Sequence, residues 1–371
     1  MSADRAGQVP ALTVSDTRPA RPHSDLEAFG LAREYLGWPR RDWLLTIDLE
    51  AFTPANAPLW IDAMDAWAAR SAAHGHRFSI FISVEDLVRL RCEDSGAYRG
   101  FLTSMRRMAD AGSEFHPHNH CVFDVDDGSR PYDPGPDDPP VPGYNKRPSM
   151  FYDVVHRQGR DLAEWLGIVI AQHRRVLDDA GIEPPERLSF RAGGFDNGSS
   201  REDLELFLDA ITKNGVEFDS SASGGGFGTG RERLTSSFGR NVFALPGGAV
   251  ETAPCLMLDC GAPLISRSSL GSVRRMAPQA RSLLGRDSGL FVAVLHLDHL
   301  FHRRPGRDYE LFSVTSREEV EARIDRFFRL LDRLQQLLHF GPATFSSLSV
   351  EASGRFDRSR VVAVERPAAS A

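Results

Sequence analysis

The chain has 371 residues, of which 41% are hydrophobic and 26% charged; these are the proportions of ordinary globular proteins and exclude a wholly disordered, collagen-like or membrane-embedded chain. With 44 basic and 51 acidic residues the net charge is −7, so the overall field repels phosphate backbones and anionic lipid, and no nucleic-acid partner is expected. The length suits one large barrel of about 250 residues with appendages as well as it suits two domains.

Residues 1–25 are rich in Pro, Ala, Ser and Arg without periodicity and read as a flexible, disordered tail. They lack the apolar segment of a secretory signal, and no run reaches the roughly 18 consecutive apolar residues of a membrane span, so the expected compartment is the cytoplasm. Residues 26–355 read as one α/β unit. Short apolar runs at Trp43–Asp48, Phe78–Ser83, Leu188–Arg191, Val242–Leu245, Leu290–Leu297 and Thr344–Val350 alternate with helical patterns, which predicts parallel βα units. Leu162, Trp165, Leu166, Val169, Val176 and Leu177 repeat at helical spacing before the stop signals Gly181 and Pro184; His173 shares that face and reads as a packed imidazole. Val320, Ile324, Phe327, Phe328, Leu331, Leu334 and Leu338 mark a second helix over the outside of the sheet.

Residues 122–150 break the rhythm with Pro, Gly and Asp and read as an inserted surface loop, in which Tyr132 and Tyr144, with Phe151 just beyond, offer aromatic faces for stacking on a ligand. Its Asp124, Asp126 and Asp127 do not fit a calcium loop, whose glycine and final glutamate are missing from their positions. The glycine-rich 222–230 lacks the spacing of a phosphate cradle and reads as a loop; residues 356–371 read as a tail. Cys92, Cys121, Cys255 and Cys260 are too few for a disulfide scaffold and read mainly as core thiols.

Chemistry concentrates at strand ends. With 12 histidines in 371 residues, a chance His-x-His-x-His run is expected only about 0.01 times, yet His116, His118 and His120 form one. In an extended chain their period of two puts all three imidazoles on one side, where they can converge on a divalent cation. A catalytic metal site usually adds a carboxylate, and the apolar run ending in Asp48 and Glu50 supplies two acids at the carboxyl end of a strand. Arg191 and His296 close two further runs: an arginine can fix a neighbouring carboxylate, and a histidine can donate a proton to a departing amine.

The ordered motifs TIDLE, HPHNH, FRAGGF, FDSS and VLHLDH, from about Trp43 to Val350, resemble those of the polysaccharide deacetylase family (NodB homology, carbohydrate esterase family 4). The resemblance implies a distorted seven-stranded (β/α) barrel that uses a divalent metal, usually zinc, to remove acyl groups from amino sugars or glycan precursors. Position by position, it implies that Asp48 is the general base, that Glu50, His116 and His120 hold the metal, with His118 as the alternative ligand, and that Arg191 orients the base. It also implies that His296 is the general acid and that Asp219, in FDSS, tunes it. Two other functions are weighed against this one: a sugar-binding barrel without turnover, and a two-carboxylate glycosidase that needs no metal.

Overall fold

The computed structural model describes residues 41–120, 154–156, 158–195, 197, 201–221, 242–245, 247–254, 256–258, 260, 290–303, 312–313, 316–338 and 340–348. The tails 1–25 and 356–371, the inserted loop 122–150 with Tyr132 and Tyr144, Phe151, and the glycine-rich 222–230 lie outside the described residues.

The sequence forms β1 (Arg41–Leu49), α1 (Ala57–His74), β2 (Ser79–Ser83), α2 (Val84–Glu93), α3 (Ser95–Asp110) and β3 (Glu114–Asn119). α4 (Leu162–Ala180), β4 (Ser189–Ala192), α5 (Arg201–Lys213), β5 (Phe218–Asp219), β6 (Val242–Ala244), β7 (Val250–Thr252) and β8 (Leu256–Leu258) follow. The last elements are β9 (Leu290–His296), the small hairpin β10 (His302–Arg303) and β11 (Phe312–Ser313), α6 (Arg317–Leu338) and β12 (Phe340–Ala343). Seven parallel strands in the order β7-β5-β4-β3-β2-β1-β9 make a curled half-barrel; β8 extends it in parallel beside β9, and β6 is antiparallel to β7. β1 lies between β2 and β9, near one end of this order. One edge of β1 pairs with β9, while the other pairs first with β12 (Arg41–Leu44) and then with β2 (Thr46–Leu49).

Helices cover the outer face, as β/α alternation demands. α1 packs on α3 and α6, and α4 packs on α5. Local signals set their ends: Asp161 accepts the Glu164 N–H at the start of α4, and Gly181 closes it at φ 63°, a left-handed conformation that costs glycine no Cβ clash. α6 buries Val320, Ile324, Phe327, Phe328 and Leu331 of the expected apolar stripe, with Trp67 of α1 packed between Phe78, Phe327 and Phe328. Full burial of each such ring contributes roughly 1.5–3 kcal/mol. Among the described residues no helix is long and apolar enough to cross a membrane.

Alternation along the strands sorts the two faces. Phe190 of β4 joins Trp165, Leu166, Phe207 and Ile211 in the outer layer beneath α4 and α5. Leu44, Phe81, Phe218, Val292 and Phe345 fill the interior and form an apolar floor. The final strand lies earlier than Thr344–Val350. β12 ends at Ala343, Thr344 begins a capped turn with Ser347, and the Phe345 ring drops onto Phe81 and Phe218 at centroid distances of 5.8 and 5.3 Å. Apolar content marked that segment correctly as core, but as a plug and not a strand. Of the cysteines described, Cys260 is buried and Cys92 exposed.

Candidate metal centre

The period of two along β1 puts Leu44, Thr46 and Asp48 on the interior side, and Glu50 continues the series just past the strand end. Across the sheet Asp48 is level with His296 of β9, and His118 of β3 is level with Arg191 of β4. All these side chains are buried above the Phe floor, at the carboxyl ends of adjacent parallel strands. The carboxyl rim is where βα barrels place their chemistry.

Three donors meet there. Glu50 Oε2 lies 2.5 Å from His120 Nε2 and 3.0 Å from His118 Nε2, and the two Nε2 atoms are 3.0 Å apart. Glu50, His118 and His120 are the group, among the described residues, whose ligand atoms all fall within 4.8 Å of one another. His118 Nδ1 donates to the Arg191 carbonyl at 2.8 Å, which fixes the ring and, in neutral imidazole, leaves the Nε2 lone pair facing the cluster. Burial alone would raise the Glu50 carboxyl, but the charge of His120 and hydrogen bonds from His118 and His120 hold it well below the usual carboxylate range. Burial likewise opposes a charge on His118, yet the hydrogen bond to Glu50 and the nearby Asp48 raise it above an ordinary imidazole. Glu50 Oε1 is buried with no hydrogen-bond partner. A carboxylate and two imidazoles aimed at one point are the donor set of a Zn²⁺ or similar divalent site, so these residues fit the metal that the motifs imply.

The structure corrects one ligand. His116 does face the interior, as the period of two requires, but it sits two residues deeper, among Phe81 and Phe345 at 5.6 and 5.1 Å. Both of its nitrogens are committed: Nδ1 accepts the Ser189 N–H at 3.3 Å, and Nε2 donates to Glu114 at 3.3 Å. Burial lowers its pKa, as expected of a neutral core imidazole. The pair brought to Glu50 is therefore His118 and His120, spaced by two and not by four. β3 ends at Asn119, so His120 leaves the strand and turns back to the level of His118.

The expected helpers divide. Arg191 is fully buried and donates to Asp48 Oδ1 through Nη1, while Nη2 donates to Thr46 Oγ1 at 2.9 Å and to Ser220 Oγ at 2.8 Å. Its guanidinium also lies 4.1 Å from the Phe81 ring centroid. His296 Nε2 is 3.5 Å from Asp48 Oδ2 and 4.0 Å from Glu50 Oε1, so it joins the same cluster. Asp219 does not join it. Phe218 points into the floor, so Asp219 points to the other face, where its Oδ1 takes the Ser221 hydroxyl at 2.6 Å and burial raises its pKa. Thr46 and Ser220 were visible within motifs but had no role assigned from sequence. Gly193 also matters: a Cβ there would lie 2.5 Å from the Asn119 carbonyl and 2.6 Å from Cγ and Nδ1 of His120.

This is a candidate divalent-metal centre on a distorted β/α barrel. Comparison with known proteins adds three solved structures. A candidate polysaccharide deacetylase from Mycobacterium smegmatis is 13% identical, with a TM-score of 0.43 over 83% of this chain and 90% of its own. A structure described as T48 deacetylase with substrate is 10% identical, with a TM-score of 0.31 over 86% of this chain and 97% of its own. A candidate fructose-1,6-biphosphate aldolase from Coccidioides immitis is 9% identical, with a TM-score of 0.29 over 86% of this chain and 96% of its own. No family model and no curated protein matches the chain.

Proposed function

We propose that this protein is a metal-dependent hydrolase that removes an N-acyl group, acetyl in the simplest case, from an amino sugar or glycan precursor. The observation that carries this reading is the convergence of Glu50, His118 and His120 beside Asp48 and His296 on one rim. Glu50, His118 and His120 would hold the ion, with zinc favoured by two imidazoles and a carboxylate. When bound, such an ion polarises an acyl carbonyl and lowers the pKa of water from 15.7 toward about 7.

The chain's own residues supply the proton traffic. Arg191 occupies Asp48 Oδ1 and leaves Oδ2 facing His296, so Oδ2 is the atom that accepts a proton from the attacking water. His296 Nε2, on the opposite side of that carboxylate from Arg191, donates a proton to the departing amine. Asp219 has no part in this scheme, because it lies on the outer face. The products are a carboxylic acid and a free amine.

The test is acetate release from a panel of N-acetylated sugars by the zinc-loaded protein. The proposal expects turnover that Asp48→Asn abolishes while bound metal is retained. Sugar binding without release would establish the non-catalytic alternative, and reducing-sugar release that survives chelation would establish a glycosidase.

A further inference from the structure

We propose that Glu85 and Asp86, successive acids in the first turn of α2, are positioning residues that set the spacing between the two metal-ligand segments; this rests on reading Glu50, His118 and His120 as ligands. Acids in a first helical turn are favoured by the helix dipole and usually remain in water. These two do not: Glu85 is 1% and Asp86 4% exposed. Each carboxylate reaches away from its own helix to a different rim segment.

Glu85 holds the β3 side. Its Oε1 accepts the His120 N–H at 3.0 Å, and its Oε2 accepts from Asn119 Nδ2 at 3.3 Å. The Asn119 carbonyl oxygen of the side chain accepts the Glu85 N–H in return at 3.2 Å. Asp86 holds the β1 side. Its Oδ2 accepts the Ala51 N–H at 2.8 Å, on the residue immediately after Glu50. Ala51 has φ 63°, and among the described residues it is the one non-glycine in the left-handed region, so its conformation needs an outside restraint.

Topology explains why α2 can do this. β2 lies between β1 and β3 in the sheet, so the helix that follows it starts between their carboxyl ends. Two adjacent residues on one rigid turn therefore gauge the gap that Glu50 and His120 must span. Asn56 adds to the β1 side by donating to the Ala51 carbonyl at 2.9 Å. Hydrogen-bonded supports of this kind orient ligands, and their loss commonly weakens metal binding by about 10- to 100-fold.

The experiment measures zinc and cobalt(II) affinity by chelator competition, and the cobalt(II) visible spectrum, for wild type, Glu85→Ala, Asp86→Ala and Ser104→Ala. Ser104 donates to Asp65 at 2.7 Å on the helical side of the molecule and serves as a control for general destabilisation. Circular dichroism confirms folding, and Glu85→Gln and Asp86→Asn replace any alanine variant that does not fold. The expected result is one ion per wild-type chain, affinity about 10- to 100-fold lower with an altered cobalt spectrum in the Glu85 and Asp86 variants, and wild-type affinity in Ser104→Ala. Variants that bind within about threefold of wild type overturn the positioning role while leaving the ligands intact. A wild type that binds no ion overturns the ligand assignment itself, and the positioning role falls with it. An equal loss in Ser104→Ala also overturns the proposal, because the effect would then be general destabilisation.

Discussion

Gly193→Ala is the most demanding perturbation of the centre, because it touches no ligand chemically. The added methyl carbon would lie 2.6 Å from Cγ and Nδ1 of His120 and 2.5 Å from the Asn119 carbonyl. Ordinary carbon contacts begin near 3.5 Å, so the imidazole has to retreat by about 1 Å. A zinc–nitrogen bond holds near 2.0–2.1 Å and tolerates only about 0.2 Å, so a retreat of that size removes His120 as a ligand. The segment cannot yield as a block, because Glu85 holds both the His120 N–H and the Asn119 amide. The expected loss of zinc affinity is about 100-fold, the upper end of what supporting residues cost, with overpacking adding about 1–3 kcal/mol of destabilisation. Chelator competition measures the first and urea unfolding of the metal-free protein the second. Wild-type zinc affinity with an unchanged cobalt(II) spectrum would refute the close packing of Gly193 on His120.

Four further outcomes follow from the same geometry. His118→Ala and His120→Ala lose the ion in elemental analysis, whereas His116→Ala keeps it and instead loses about 1–3 kcal/mol of stability, because its removal strands the buried Ser189 N–H. Arg191→Met leaves Asp48 buried without its cation and lowers unfolding free energy by about 3–5 kcal/mol, read by denaturant titration; a loss below about 1 kcal/mol would contradict the buried pair. His173 is buried and its pKa is pushed down to about 3 by desolvation, so it stays neutral in the folded chain while the unfolded chain titrates near 6.5. Its contribution is complete above pH 6.5 and is lost as pH falls toward about 3, at up to about 1.4 kcal/mol per pH unit, so His173→Leu should flatten the acid limb of the stability profile. Superimposable wild-type and variant profiles would show that His173 is not desolvated.

Strand ends were legible because hydrophobic alternation ending in a charged residue is a local signal, and Asp48, Glu50, Arg191 and His296 all sit where that signal puts them. The histidine register was not. Three imidazoles at a period of two share a face, and their depth along the barrel depends on the neighbouring strands, which place His116 beside Phe81 and His118 beside Ser83. Asp219 failed for a related reason: in a two-residue strand, one step decides the face, and only Phe218 packing on Phe345 reveals it. Glu85 and Asp86 look like any acidic helix start. Their function depends on the order of β1, β2 and β3 in the sheet, which no short window of residues encodes.

Because Asp48 and Glu50 are two residues apart on one chain segment, any sliding of β1 carries both acids together. Their mutual placement is insulated from such motion, and the displacement appears entirely in their distances to His118 and His120 on one flank and to His296 on the other. Gripped along one edge by β9 and along the other by β12 and β2 in turn, that strand is the part of the sheet least free to slip. Its amides should accordingly be among the last to exchange with solvent deuterium.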